Sequence, residues 1–222
     1  MSDKSNRYGY VGVDLPAQSF GSNKGVFNPA EINDLVADNK WTTFGQLELI
    51  ETQTVSSAVA SVEFTNLGDF NVHFITMNNQ HTSGSADGNA VIQLSNNGGS
   101  SYITSGYQYA HQRGDTAGSF GESRSTSHNS LGYIGDFISD SDALESSNAY
   151  TYLYNLLDST KYSFSTYQQF SYLNVEGTAY GRFYFGNAVK PTAETHNAFR
   201  IVTYQGYNLS AGTFSLYGIR YS

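Results

Sequence analysis

Proton transfer and metal ligation fall first to histidine, and the chain has five: His73, His81, His111, His128 and His196. None forms an H-x-H or H-E-x-x-H pair, the spacings that bring two imidazoles to one ion from a single element. A site built from them therefore depends on convergence in the fold. His73 alternates with Val72 and Phe74, which predicts a histidine on a sheet surface. Asp136, Asp140, Asp142 and Glu145 form an acidic cluster with no base between them. Asp140-Ser141-Asp142 begins like a calcium loop, but it lacks the glycine at the sixth position and the glutamate at the twelfth. The cluster reads as a solvated acidic loop. Glycoside hydrolysis needs two facing carboxylates, and nothing singles out Glu48, Glu51 or Glu63 for that work. No G-x-S-x-G elbow occurs, and Gly118-Ser119-Phe120-Gly121 has the wrong spacing for one. No glycine-rich stretch joins a strand to a helix with a lysine, as a phosphate loop requires. Asn208-Leu209-Ser210 fits the glycosylation pattern, which matters only in a eukaryotic secretory chain. The expectation is a protein without catalytic residues, metal or cofactor.

Tyrosine is the residue in excess, with 18 among 222 positions. Tyr107, Tyr109, Tyr150, Tyr152, Tyr154, Tyr162, Tyr167 and Tyr172 would serve a sugar-stacking face or a subunit interface, because tyrosine offers contact area at low entropy cost and a polar tip. Tyr150, Tyr152 and Tyr154 alternate with Thr151 and Leu153, so they share one face of a strand. That face is either half of a core or an interface patch.

The elements that would carry these residues are strands. Only 14% of the chain is charged, while 15% is aromatic. Tyr, Phe, Thr and Val suit a pleated, half-buried surface, and a helical bundle would be rich in Ala, Glu, Lys, Leu and Arg. With no cysteine, zinc-thiolate, disulfide and thiol chemistry are excluded. Net charge is -8 and the 11 Lys and Arg are scattered, which excludes a nucleic-acid surface. No apolar run reaches the roughly 18 residues of a membrane helix. Met1 to Arg7 leads into Tyr8-Gly9-Tyr10-Val11-Gly12-Val13 and not into a leucine-rich stretch, so no signal peptide is expected.

Residues 1–27 read as an extended arm with spaced aromatics Tyr8, Tyr10, Phe20 and Phe27. Residues 28–38 predict one short helix, with Asn28 as N-cap, Pro29 at the first position, Glu31 completing a capping box and Ile32, Leu35 and Val36 forming a stripe. This helix is expected to plug or cover the sandwich, with Trp41 buried beside its stripe. From about residue 45 the period is two. Strands are expected near 46–52, 59–65, 70–76, 90–95, 102–111, 131–138, 149–156, 162–173, 179–188, 198–204 and 213–220. Asn96-Asn97-Gly98-Gly99-Ser100 predicts a hairpin joining the strands on either side. Gly114–Ser130 reads as the main surface loop and Ser139–Asn148 as a second. The architecture expected is all-β, a two-sheet antiparallel sandwich, jelly-roll-like, with residues 1–44 as arm and helix and 45–222 as the sandwich.

Two stretches carry a family likeness. Leu94-Ser95-Asn96-Asn97-Gly98-Gly99-Ser100-Ser101-Tyr102 resembles an L-S-x-D/N-G-G-x-x-Y hairpin of the structural (virion) proteins of marine tailed bacteriophages. The ending Gly212-Thr213-Phe214-Ser215-Leu216-Tyr217-Gly218-Ile219-Arg220 is similar to their closing strand, G-T-F-x-L-Y-G-I-K, and Tyr162–Gln169 is of the same character. The likeness covers about the last two thirds of the chain, and its motifs describe turns and strands. It implies a non-enzymatic virion subunit, a capsid decoration (cement) protein or a head or tail-fibre appendage, made in the host cytoplasm and carried in the virion. Such a subunit would pack on copies of itself, as a homotrimer or other symmetric oligomer, and on other virion proteins. Arg7, Tyr8, Tyr10, Phe20, Phe27, Tyr150, Tyr152 and Tyr154 are the expected interface residues. The alternative is a lectin-like module that binds host surface glycan, and a polysaccharide-degrading enzyme ranks below both.

Overall fold

The computed structural model describes residues 29–37, 47–83, 88–139, 144–175 and 178–219. The chain divides after Phe44 into two compact units. In the first, α1 (Pro29–Ala37) starts on a proline, whose missing N–H costs nothing at that position. Ile32 and Leu35 are half-buried, whereas Ala30, Asn33, Asp34 and Ala37 are exposed, so the three-residue spacing does mark one face. The expectations placed on residues 1–28 and Trp41 lie outside the described residues, and with them Arg7, Tyr8, Tyr10, Phe20 and Phe27.

The second unit contains twelve strands: β1 (Leu47–Val55), β2 (Val62–Phe64), β3 (Val72–Thr82), β4 (Gly88–Ser95), β5 (Tyr107–Asp115), β6 (Phe120–His128), β7 (Tyr133–Ser139), β8 (Ser146–Tyr154), β9 (Ser163–Val175), β10 (Thr178–Lys190), β11 (Ala198–Thr203) and β12 (Leu209–Ile219). They form two antiparallel sheets packed as a sandwich. The large sheet runs β1-β12-β3-β8-β9-β10-β5-β6 and the small one β2-β11-β4-β7. At one corner β7 touches β3 through a short parallel pairing, His81 with Ile138 and Thr82 with Ser139.

Eight of these strands trace a jelly roll. In one sheet β1 lies beside the last strand and β3 beside β8; in the other β2 lies beside the last strand but one and β4 beside β7. The remaining four are two hairpins inserted into that frame, β5–β6 and β9–β10. Both add to the β8 edge, so the large sheet continues beyond the edge of the small one. This overhang positions the cleft described below.

Between the sheets lies an apolar core that includes Phe64, Ile75, Met77, Ile92, Leu94, Leu131, Ile134, Leu153, Phe199, Phe214 and Leu216, all fully buried. Phe64 and Phe199, on paired strands, meet with ring centroids 5.0 Å apart. Tyr107 is also fully buried. Its hydroxyl accepts from the Leu94 amide (3.0 Å) and donates to the Ile103 carbonyl (3.1 Å), which satisfies the polar tip.

The closing motif has a packing reason. Phe214 and Leu216 point into the core, and Tyr217 points to the opposite face. Gly218 has no room for a side chain, because the Phe70 ring lies where its Cβ would be.

Three expectations change here. Asn96–Ser100 does turn the chain, with Gly98 and Gly99 at φ of 70° and 87°. It does not make a hairpin: β4 pairs β11 and β7 in the small sheet, while β5 pairs β10 and β6 in the large one. The turn is a crossing between layers. The supposed main loop Gly114–Ser130 instead holds the whole of β6, an edge strand. The second supposed loop gives its last residues, Ser146–Asn148, to β8.

Candidate functional site

Strand alternation decides what the large sheet shows on the side away from the core. Directly paired residues share a face, so the registers place Leu49, Tyr217, Phe74 and Tyr152 in one row across four strands. The next row holds Leu47, Ile219, Val72, Tyr154 and Phe164. Further rows add Tyr150, Phe170, Tyr172, Phe183 and Phe185. Phe74 lies at the centre of an aromatic cluster, with ring centroids 4.7 Å from Tyr152, 6.0 Å from Tyr150 and 6.2 Å from Tyr217. Phe183 stacks on Phe185 at 6.1 Å. From β1 across to β5 this face carries no Asp, Glu, Lys or Arg among the described residues; Glu122 and Arg124 appear only on β6.

The face is also exposed. Leu47, Leu49, Tyr150, Phe164, Phe170, Tyr172 and Phe185 each keep between 40% and 57% of their surface in water. At roughly 200 Å² for a large apolar side chain, these seven alone expose about 700 Å². A typical monomer shows no apolar patch above about 300–600 Å². A standard interface covers about 800 Å² per partner.

On the inner side, the overhang leaves a step between the edge strand β7 and the floor formed by β10, β5 and β6. A cleft of about 390 Å³ occupies it, lined by Asn89, His111, Arg113, Glu122, Ser123, Tyr133, Arg182 and Tyr184. Its back wall is organised by Asp136, which is buried. Asp136 accepts from Asn89 Nδ2 (3.0 Å) and Ser171 Oγ (3.3 Å) and lies 3.8 Å from Arg182 Nη1. Arg182 Nη2 donates to the Tyr180 hydroxyl at 2.6 Å. Burial opposes the charge of Arg182, but Asp136 and the Tyr184 and Tyr180 hydroxyls outweigh it and hold its pKa above the ordinary value. Gln205 keeps Asn89 in place, its Nε2 donating to Asn89 Oδ1 (2.8 Å) and its Oε1 accepting from the Asn89 amide (2.8 Å).

His111 lies among rings: stacked on Tyr109 at 5.4 Å and edge-on to Tyr184 at 5.3 Å and Tyr133 at 5.7 Å. Gly186, opposite His111 on β10, makes this possible. A Cβ there would lie 2.5 Å from His111 Cβ and 2.7 Å from the Tyr167 hydroxyl. Desolvation first, then Arg113 and His128, push the His111 pKa down to about 4, so its ring is neutral near pH 7.

The residues that sequence reasoning singled out are distributed as follows. Tyr150, Tyr152 and Tyr154 share the outer face of the large sheet, Tyr150 exposed and the other two half-buried. Tyr172 joins them, and Tyr162 is exposed in the turn before β9. Tyr107, Tyr109 and Tyr167 belong to the buried interior and to no patch. His73 is not on a sheet surface. It is fully buried, its Nε2 2.8 Å from the Leu67 carbonyl oxygen, and the other four histidines are at most 8% exposed. The acidic cluster is not a solvated loop at either end, since Asp136 and Glu145 are both buried; Asp140 and Asp142 lie outside the described residues. No group of three His, Asp or Glu side chains is placed to hold a metal ion among the described residues. None of the described helices is long and apolar enough to cross a membrane.

The inner cleft escaped sequence reasoning because its members come from five strands. The alternation Tyr109-His111-Arg113 against Arg182-Tyr184 was the available signal, since ionisable residues on the apolar phase of a strand mark a wet interior. Compared with known proteins, the chain matches no family model, no curated protein and no solved structure.

Proposed function

We propose that this chain is a non-enzymatic virion structural protein of a tailed bacteriophage, a capsid decoration or a head or tail appendage subunit. It works by packing the outer face of its large sheet on neighbouring copies. The observation that carries this reading is the charge-free aromatic face across seven strands, on a chain whose net charge is -8. A face depleted of charge and rich in Tyr and Phe has the composition of an interface centre, and its area approaches what a stable contact needs. The acidic remainder of the surface keeps the assembly soluble. A closed, symmetric homo-oligomer, a homotrimer or similar, buries this face without leaving an open filament end. The assignment to a virion rests on the likeness of the Asn96–Ser100 turn and the closing strand to phage structural proteins.

Mass in solution tests the assembly. The expected particle at micromolar concentration is a whole multiple of 24.3 kDa, and Tyr150→Lys with Phe185→Lys returns it to the single-chain mass with an unchanged β-sheet spectrum. A wild-type chain that remains a single copy at these concentrations would refute the reading. Peptide mass spectrometry of purified phage particles tests the location, and absence of the chain from particles whose genome encodes it would refute that part.

A further inference from the structure

We propose that the cleft between β7 and the β10-β5-β6 floor binds a carboxylate-bearing saccharide, with Arg113 and Arg182 holding the carboxylate and Asn89 and Ser123 the hydroxyls. Three observations support it. First, the volume of about 390 Å³ lies within the range of small-ligand sites and suits one or two sugar rings. Second, the lining is polar and already organised without a ligand. Asp136 and Tyr180 fix Arg182, and Gln205 fixes Asn89, so little side-chain entropy is left to lose on binding.

Third, Arg113 presents its guanidinium to the cleft with no carboxylate paired to it among the described residues. Arg113 hydrogen-bonds the Tyr184 hydroxyl but makes no ion pair among the described residues, although it belongs to an acidic chain and lies beside the half-buried, already paired Arg182. His111 is buried in the floor of the cleft, its Nδ1 3.5 Å from the Tyr167 hydroxyl oxygen. A planar carboxylate matches a guanidinium through two parallel hydrogen bonds, which an isolated hydroxyl cannot do. The rings of Tyr133 and Tyr184 supply the flat walls that sugar faces pack against.

The cleft opens on the inner side of the large sheet and the aromatic face on the outer side, so binding and self-association are separable. Calorimetric titration of the full chain with trigalacturonate, and separately with sialyllactose, tests the proposal and distinguishes a uronate from a sialate as the source of the carboxylate. Galactotriose and sodium sulfate are the neutral and simple-anion comparisons. Saturable binding of at least one acidic sugar is expected, with no measurable binding of galactotriose or sulfate. Arg113→Gln, at an exposed position, should weaken it by about tenfold or more while leaving the melting curve in place. Tyr184→Phe, which deletes one hydroxyl, should weaken it less. Failure of both acidic sugars to bind, binding unaffected by Arg113→Gln, or equal binding of galactotriose or sulfate would each overturn the proposal.

Discussion

Acid should unfold this protein earlier than its carboxylates alone would, because its histidines are buried neutral. The perturbation is a fall in pH from 7 to 5. Desolvation lowers the pKa of His73, His111, His128 and His196 in the folded chain. The unfolded chain then takes up protons near pH 6.5 and the folded chain does not, so stability is present above that pH and is lost as pH falls toward the folded values. For His111, the drop to about 4 corresponds to a loss of about 2 kcal/mol at pH 5 and about 3 kcal/mol at pH 4, at 1.36 kcal/mol per unit. The window between pH 6.5 and 5 isolates this effect. Asp158, whose hydrogen bonds to Thr160 and Lys161 lower its pKa to about 2, loses its contribution only below the ordinary aspartate range. The assay is urea unfolding at half-unit steps of pH, for the wild type and for His111→Gln. The wild type should lose stability steeply over this window, and the variant should show a slope shallower by about 2 kcal/mol at pH 5. Equal slopes, or a His111 ring whose NMR titration falls near 6.5, would show that the ring is not held neutral by burial.

Other perturbations read other parts of the fold. Phe214→Ala, in the buried half of the closing motif, should cost about 3–5 kcal/mol in chemical unfolding, and a cost under 1 kcal/mol would place the ring outside the core. Gly218→Ala should cost about 1–3 kcal/mol by displacing the Phe70 ring, and in a Phe70→Leu background the cost should shrink; equal costs in both would mean that the ring does not set the requirement for glycine. Arg113→Gln should raise the His111 pKa measured by NMR, since the guanidinium is one of the groups lowering it, and an unchanged titration would separate the two side chains.

The sandwich was legible because eleven strands are rich in strand-forming residues between turn-forming breaks, several of them in clear alternation. Val62-Glu63-Phe64 and Phe214-Ser215-Leu216 each put apolar residues on one side and polar ones on the other, and that pattern survives whatever the strand pairs with. It failed at β6. Phe120-Gly121-Glu122-Ser123-Arg124-Ser125-Thr126-Ser127-His128 buries only its last residue, so no apolar phase betrays it, and its charges are what an unpaired sheet edge needs. The Asn96–Ser100 turn was misread for a different reason. Turn chemistry fixes the local reversal, while the pairing of β4 with β11, over a hundred residues away, is set by the jelly-roll frame. His73 reads as exposed because an imidazole on a strand carries no mark of its face. In the fold, Leu67 O accepts or fills the bond of His73, and Ser163 and Ser130 do the same for His196 and His128. The face carrying Tyr150, Tyr152 and Tyr154 was visible in their spacing, but its extent was not, because Leu49, Tyr217 and Phe74 come from three separate strands.

Hydroxyl-radical footprinting addresses the outer face most directly, because it reads side-chain access ring by ring. With the chain at assembling concentration and then diluted, Tyr150, Phe164, Phe170, Tyr172 and Phe185 should be labelled slowly in the first state and quickly in the second. Tyr204 and Tyr207, exposed outside that face, should label alike in both. Rapid labelling of all five rings in the assembled state would contradict packing through this sheet.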